Sequence, residues 1–376
     1  MSMSYGVLST YPPTQCGLAT FSQALVQSIQ SSQDHVGVVR VVDADEVAAV
    51  VGDKWVRGAP GGADAAADSL NAYDVAIIQH EYGIFPGPDG AEVLDVIRAL
   101  RVPAITVLHT VLVTPSDRQR EILEELGRYS SVLVTMTQTA RDRLITHYDV
   151  DPSLVRVIPH GAAETHRPAA GKRRARNARP VILTWGLLGE GKGIEWAIDA
   201  MAELVDLDPQ PQYWVVGQTH PKVRARQGEV YRDRLIQRAQ QGASGLVHFD
   251  DRYLTNAELQ DLVRQADIVL LPYDSREQVT SGVLIEAVTA GKPVVSTGFP
   301  HAIELLSGGA GLIVERQDPQ AIAGALRRVL TEPGLASKMR AEANRIAPEL
   351  LWPAVADRYR QAAAQSVRAH RVRVSA

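Results

Sequence analysis

Short runs of aliphatic and β-branched residues alternate with longer segments of helical period along the whole chain. The strand-like runs fall at residues 5–9, 36–42, 74–79, 104–109, 131–135 and 155–159, and again at 181–185, 212–216, 245–249, 267–272, 293–297 and 311–314. The stretches between them are predicted to be helices. The first, residues 20–30, opens on Thr20 with Gln23 three positions on, a capping-box pattern, and sets Leu25 and Ile29 four apart. Strands alternating with helices in this way predict parallel sheets covered on both faces. At 376 residues the chain is too long for one ordinary core. The pattern is therefore read as two Rossmann-like, doubly wound α/β domains, one at residues 1–165 and one at 178–350, with a further helical segment from Trp352.

Hydrophobic residues make up 45% of the chain and charged residues 22%, the balance of a globular protein rather than a disordered one. A formal charge of −4 offers no general attraction for nucleic acid, whose binding normally needs a basic face. The single cysteine, Cys16, rules out an internal disulfide framework and suits a reducing compartment. The first residues run into an apolar strand without the charged and apolar regions of a signal peptide. No run reaches the ~20 apolar residues of a membrane span. These features predict a soluble, cytoplasmic protein. Residues 162–179 lack apolar period and read as an interdomain linker. Their basic run, Gly171-Lys172-Arg173-Arg174-Ala175-Arg176, is either solvated linker or a contact for anionic lipid. The linker is favoured, because no amphipathic helix adjoins it.

Doubly wound sheets bind ligands at the carboxyl ends of their strands, and the residues there are unusual. The strand at 181–185 is followed by Gly186-Leu187-Leu188-Gly189-Glu190-Gly191-Lys192-Gly193 and a helix. Glycines admit a phosphate to backbone amides, the helix start adds partial positive charge, and Lys192 adds a full one. The segment is one residue from a nucleoside-triphosphatase P-loop, with Gly193 where Ser or Thr must hold magnesium. A second anion site is expected at residues 278–286, where Thr280 or Ser281 can cap a helix and leave its first amides, at Gly282 and Val283, for a diphosphate. Glu286, on an otherwise apolar stretch of that helix, suits the two hydroxyls of a ribose.

Together with Tyr11-Pro12-Pro13-Thr14-Gln15-Cys16-Gly17-Leu18-Ala19 and the Lys292-Pro293-Val294-Val295 run, these motifs make the chain resemble the retaining glycosyltransferase family 4. The resemblance implies a two-domain B-type fold with a cleft between the domains, the Trp352 helix (residues 352–376) packing back on the first domain. It also implies roles for individual residues. Gly17 and Leu18 would present amides to the donor diphosphate, with Gly186, Lys192, Ser281, Gly282 and Val283 also holding the donor. Glu286 matches the second glutamate of the family's pair and binds ribose. His109 matches the histidine beside the transferred sugar. His109, Lys192 and Gln278 would form the catalytic set. Two positions depart from the family pattern. Its arginine is Leu187 here, and its first glutamate is Gln278, which keeps an acceptor oxygen without the charge.

His80, Glu81 and Tyr82 follow a strand of the first domain and are expected to bind the acceptor, in preference to a metal. His160, at another strand end, is open between a turn residue and a functional one. By the same resemblance, Asp250, Asp251 and Arg252 fall where the family's base-binding loop comes; a carboxylate there suits guanine, and a helix-capping loop is the equal alternative. The Gln218-Thr219-His220-Pro221-Lys222 cluster, with residues 228–232, exceeds the needs of a turn and has no assigned role. The Pro12-Pro13 loop and Gln278-Val279-Thr280-Ser281-Gly282 look like the family's mannosyltransferases, and that resemblance, with the carboxylates, makes GDP-mannose the expected donor, a UDP- or ADP-hexose the alternative and a saccharide or glycoconjugate the acceptor. No cofactor or divalent metal is called for by these motifs. An epimerase or a non-catalytic nucleotide-sugar binder on the same fold are the competing classes.

Overall fold

In the computed structural model, which describes residues 2–30, 34–49, 52–164 and 178–375, the chain divides into two compact units. One comprises Met1–Ala163 with Leu350–Ala376, the other Glu164–Glu349. The first is built on seven parallel strands: β1 (Ser4–Ser9), β2 (His35–Val42), β3 (Lys54–Val56), β4 (Val75–His80), β5 (Ala104–Leu108), β6 (Val132–Thr135) and β7 (Val155–Val157). They lie in the order β3-β2-β1-β4-β5-β6-β7. The second unit has six, also parallel: β8 (Val181–Trp185), β9 (Gln212–Val216), β10 (Val247–Asp250), β11 (Ile268–Leu271), β12 (Val294–Thr297) and β13 (Gly311–Val314), ordered β10-β9-β8-β11-β12-β13. Two doubly wound α/β units are therefore present, as the alternating pattern implies. Strands such as β4, buried at every residue, show why the runs are continuous rather than alternating: helices cover both faces.

In both sheets the strand order reverses beside the first strand, with β1 between β2 and β4 and β8 between β9 and β11. The crevice outside the carboxyl ends at such a switch point is where this architecture binds ligands. In the second unit it brings the loop after β8 beside the segment after β11.

The structure corrects two local expectations. Strand β3 has no counterpart among the twelve runs read from the sequence; three residues at a sheet edge are too few to display a period, although Trp55 within it is buried. The first helix spans Gly17–Gln30 and begins ahead of Thr20. Cys16 takes the capping place, its Sγ accepting from the Ala19 amide (3.3 Å) and its carbonyl from the Thr20 amide (3.2 Å), so Thr20 and Gln23 form no capping box. The terminal helix spans Trp352–Ser375. The basic run at 171–176 lies outside the described residues.

That terminal helix completes the first unit's core. Trp352, Val355, Ala356, Tyr359, Ala363 and Val367 recur at helical spacing and join Phe21, Leu25 and Ile29 in one buried cluster. Its start is fixed by backbone bonds from Ala162 to Leu350 (2.8 Å) and from Trp352 to Ala162 (3.0 Å). Trp352→Ala should destabilise the protein by about 3–5 kcal/mol. Urea unfolding followed by circular dichroism checks this; a change under about 1 kcal/mol would mean that the helix adds little to the core.

Candidate functional site

The loop after β8 and the segment after β11 meet closely. Gly193 caps the Ile194–Ala202 helix in a left-handed conformation (φ 62°), and a Cβ on it would lie 1.9 Å from the Pro272 carbonyl oxygen. A serine or threonine is therefore excluded at the place where a P-loop needs its magnesium-binding hydroxyl. The Asp274 amide donates to the Gly191 carbonyl (3.0 Å), locking the two segments together. Lys192, between these glycines, holds its Nζ 4.3 Å from the centroid of the buried Tyr273 ring. It has no carboxylate partner among the described residues, and burial lowers its pKa from the ordinary lysine value.

The second wall is the Gly282–Thr289 helix. Ser281 caps it, Oγ accepting from the Leu284 amide (3.3 Å). The amides of Gly282 and Val283 precede the first intrahelical bond and have no protein acceptor among the described residues. Val283 Cγ2 would lie 3.8 Å from a Cβ built on Gly186, so this helix start faces the loop after β8. Glu286 is half-buried and accepts from Trp185 Nε1 (3.2 Å). Burial pushes its carboxyl up to about 7, with the Trp185 bond opposing the shift. Gln278 Nε2 donates to the Thr280 carbonyl (2.9 Å), a bond that a glutamate carboxylate has no proton to make.

Away from the switch point, Arg252 binds Asp250 through Nε (3.0 Å) and Nη2 (2.7 Å). That pairing corrects the expectation that Asp250 offers a free carboxylate to a guanine edge; Asp251 is exposed. A cavity of about 480 Å³, lined by Trp214, Phe249, Asp250, Arg252 and Leu254, runs along β9 and β10 beside them. The cluster around Thr219 is a clamp. Glu229 receives the Thr219 hydroxyl and pairs with Arg224 (3.2 Å) and Arg232 (3.6 Å), while His220 caps the next helix. Loop anchoring accounts for its polarity.

In the first unit, Gly17 opens a helix whose first two amides, on Gly17 and Leu18, have no protein acceptor among the described residues. A Cβ on Gly17 would meet nothing within 4 Å, so packing does not require glycine there. His109 is half-buried, with Nε2 2.7 Å from Gln79 Oε1 and its ring edge-on to Phe21 (4.9 Å). Burial, with His160 and His80 adding to it, holds His109 well below the ordinary histidine value. His160 and Trp352 pack on the same Phe21 ring at 4.9 and 5.1 Å, and burial brings His160 down to about 4. Sequence reasoning left His160 open and missed the aromatic cluster, because Phe21 and Trp352 come from helices far apart in the chain.

His80 departs from expectation. It is fully buried beside Tyr82 (5.0 Å) and Phe85 (6.5 Å), and burial lowers it to about 3. Such a side chain has no surface to offer an acceptor. Glu81 accepts from Thr110 (2.5 Å) and Tyr82 donates to the Gln119 carbonyl (3.2 Å), so both tie neighbouring loops. Among the described residues no group of three or more His, Cys, Asp or Glu is placed to hold a metal, and no helix is long and apolar enough to cross a membrane.

The Glu286 shift makes a prediction about stability. A carboxyl whose folded pKa is raised contributes stability that is present below its ordinary value of 4.5 and is lost as pH rises through about 7. Glu286→Gln stays neutral and should gain on wild type between pH 5 and pH 8, as urea midpoints at the two pH values would show. An equal difference at both would mean that Glu286 titrates normally.

The family model described as Glycosyltransferase Family 4 matches residues 32–164, and that described as Glycosyl transferases group 1 matches residues 179–332. D-inositol 3-phosphate glycosyltransferase of Streptomyces bingchenggensis is 29% identical over 72% of this chain and 63% of its own length. That of Corynebacterium jeikeium is 30% identical over 68% and 65%. The chain thus spans just under two thirds of these relatives. In fold it is similar to Anabaena HepE, solved with UDP and glucose (TM-score 0.77, 18% identity, 96% of this chain and 100% of that one). It is also similar to sucrose-phosphate synthase from Thermosynechococcus elongatus (TM-score 0.74, 18% identity, 96% and 98%). With both of its units matched by these families and folded as in the B-type glycosyltransferases, the chain belongs to glycosyltransferase family 4.

Proposed function

We propose that this chain transfers a hexose from a nucleoside diphosphate to a hydroxyl of a saccharide or cyclitol acceptor, with retention at the anomeric carbon. The observation that carries the reading is Lys192, a largely buried ammonium without a carboxylate partner among the described residues, set at a switch point near a helix start with unused amides. Lys192 and the Gly282 and Val283 amides take the diphosphate, Glu286 the ribose hydroxyls and Gln278 a sugar hydroxyl. In the first unit taken by itself, Gly17 and Leu18 keep unbonded amides at a helix start with a bare Gly17 Cα, and His109, held neutral by burial, is the residue proposed to meet a sugar.

In the transfer, the acceptor oxygen bonds to the anomeric carbon on the face from which the diphosphate leaves. The bond from that carbon to the β-phosphate oxygen breaks, and the departing phosphate takes the acceptor's proton. Negative charge grows on the leaving group as this happens. A lysine and helix amides already oriented toward it stabilise the transition state more than the ground state.

Uridine is proposed as the base. The expectation of GDP-mannose rests physically on Asp250 and Asp251 reading guanine, and Asp250 is engaged by Arg252. HepE, of the same fold, was solved with UDP and glucose. The name of the curated relatives makes a cyclitol phosphate the first acceptor to test.

UDP should raise the melting temperature by mass action and bind at least about tenfold tighter than GDP, a gap of ~1.4 kcal/mol. No shift with UDP, GDP or ADP at saturation would overturn the nucleotide site, and a GDP preference would restore the guanosine donor. Lys192→Ala should lower turnover about a hundredfold, or ~3 kcal/mol, with little change in melting temperature. Initial rates with a radiolabelled nucleotide sugar measure this, and wild-type turnover would reduce Lys192 to an ordinary loop residue.

A further inference from the structure

His301 is buried, at 3% exposure, in the second residue of the short Pro300–Leu306 helix after β12. Its Nδ1 accepts the Ser281 amide at 2.8 Å, and its own amide donates to the Gln278 carbonyl at 3.4 Å. One residue therefore holds both ends of the turn from Gln278 to Ser281. Within the turn, Gln278 Nε2 closes on the Thr280 carbonyl (2.9 Å), and Ser281 begins the helix whose free amides stand at Gly282 and Val283. Two residues before His301, Phe299 stacks on Tyr273 at 5.4 Å, on whose ring Lys192 rests. The segment after β12 thus supports the diphosphate-facing helix start with one side chain and the platform beneath Lys192 with another.

We infer that His301 is a positioning residue for the transfer: by accepting the Ser281 N–H it fixes the direction of the Gly282 and Val283 amides, and so selects a diphosphate over a monophosphate. The inference rests on the proposed nucleotide site. An acceptor Nδ1 requires the ring proton on Nε2. A hydrogen bond to a buried backbone amide leaves that amide costly to abandon if the acceptor is lost. The turn would then rotate to find another partner, and amides on the next two residues would turn with it. Binding to the nucleoside, whose ribose Glu286 serves, would be spared.

The test is calorimetric titration of wild type, His301→Asn and His301→Gln with UDP and with UMP, the melting temperature of each being recorded. Asparagine places an acceptor oxygen near the position of Nδ1, whereas glutamine reaches that of Nε2. Wild type and His301→Asn should bind UDP at least about tenfold tighter than UMP. In His301→Gln the ratio should fall to about threefold or less, with UMP affinity close to wild type. A merely structural histidine would lower the melting temperature of either variant and leave the ratio unchanged in the folded protein; that result, or equal loss in both variants, overturns the proposal. Amide exchange in the unaltered protein is a second measurement. Ser281 should be strongly protected, and exchange at the solvent rate breaks the proposal whatever the variants do. Wild type that binds neither nucleotide refutes the nucleotide site itself, and the role of His301 falls with it.

Discussion

The approach of Gly193 to the Pro272 carbonyl is the contact on which the second unit's site depends. Only a residue without a Cβ tolerates it. Once made, it draws the loop after β8 onto the segment after β11, allows the Asp274–Gly191 bond to form, and lays Lys192 over Tyr273. An ammonium in that position has lost part of its water and gained only the face of a ring, an interaction worth about 0.5–2 kcal/mol. The fold therefore keeps a cation under-compensated, and the same burial holds Glu286 near neutrality. Groups that burial shifts toward their uncharged forms recover stabilisation when a ligand of suitable charge or hydrogen-bonding capacity arrives.

The fold was largely legible because both sheets are parallel. Strands buried on both faces appear as uninterrupted aliphatic runs, and the helices between them carry a different period. What escaped was short or unconventional. Lys54–Val56 is a strand only because Arg40 to Val42 pair with it. The first helix is capped by a cysteine sulfur, for which the usual oxygen-bearing capping residues give no cue.

The site was legible where a motif states its own chemistry. Gly186 to Gly193 and Gln278 to Glu286 carry residue types and spacing suited to an anion, and the topology brings them together. It was illegible where a side chain's direction decides. His80 ends β4 and His109 directly follows β5, yet one is sealed under Tyr82 and Phe85 while the other stays partly open against Phe21. Asp250 looked available until Arg252, two residues on, was seen to occupy it. His301 carries no motif at all; its contact with Ser281 spans twenty residues and exists only after β11 and β12 pair.

The connectivity of the first unit has a bearing on how the protein is made. Its last helix follows the entire second unit in the chain, and the two crossing points, at Ala162 and Leu351, sit side by side in the first. During synthesis the second unit emerges as one unbroken stretch and is free to fold on its own, as domains do on the ribosome. The first unit meanwhile waits with Phe21, Leu25 and Ile29 uncovered until Trp352 and the residues beyond it leave the exit tunnel. A nascent chain of this kind exposes an apolar face for the time needed to translate nearly two hundred residues, the whole of Glu164–Glu349. Over that interval a segment translated before the whole second unit is sealed only after it, and its apolar face is open to association in the meantime.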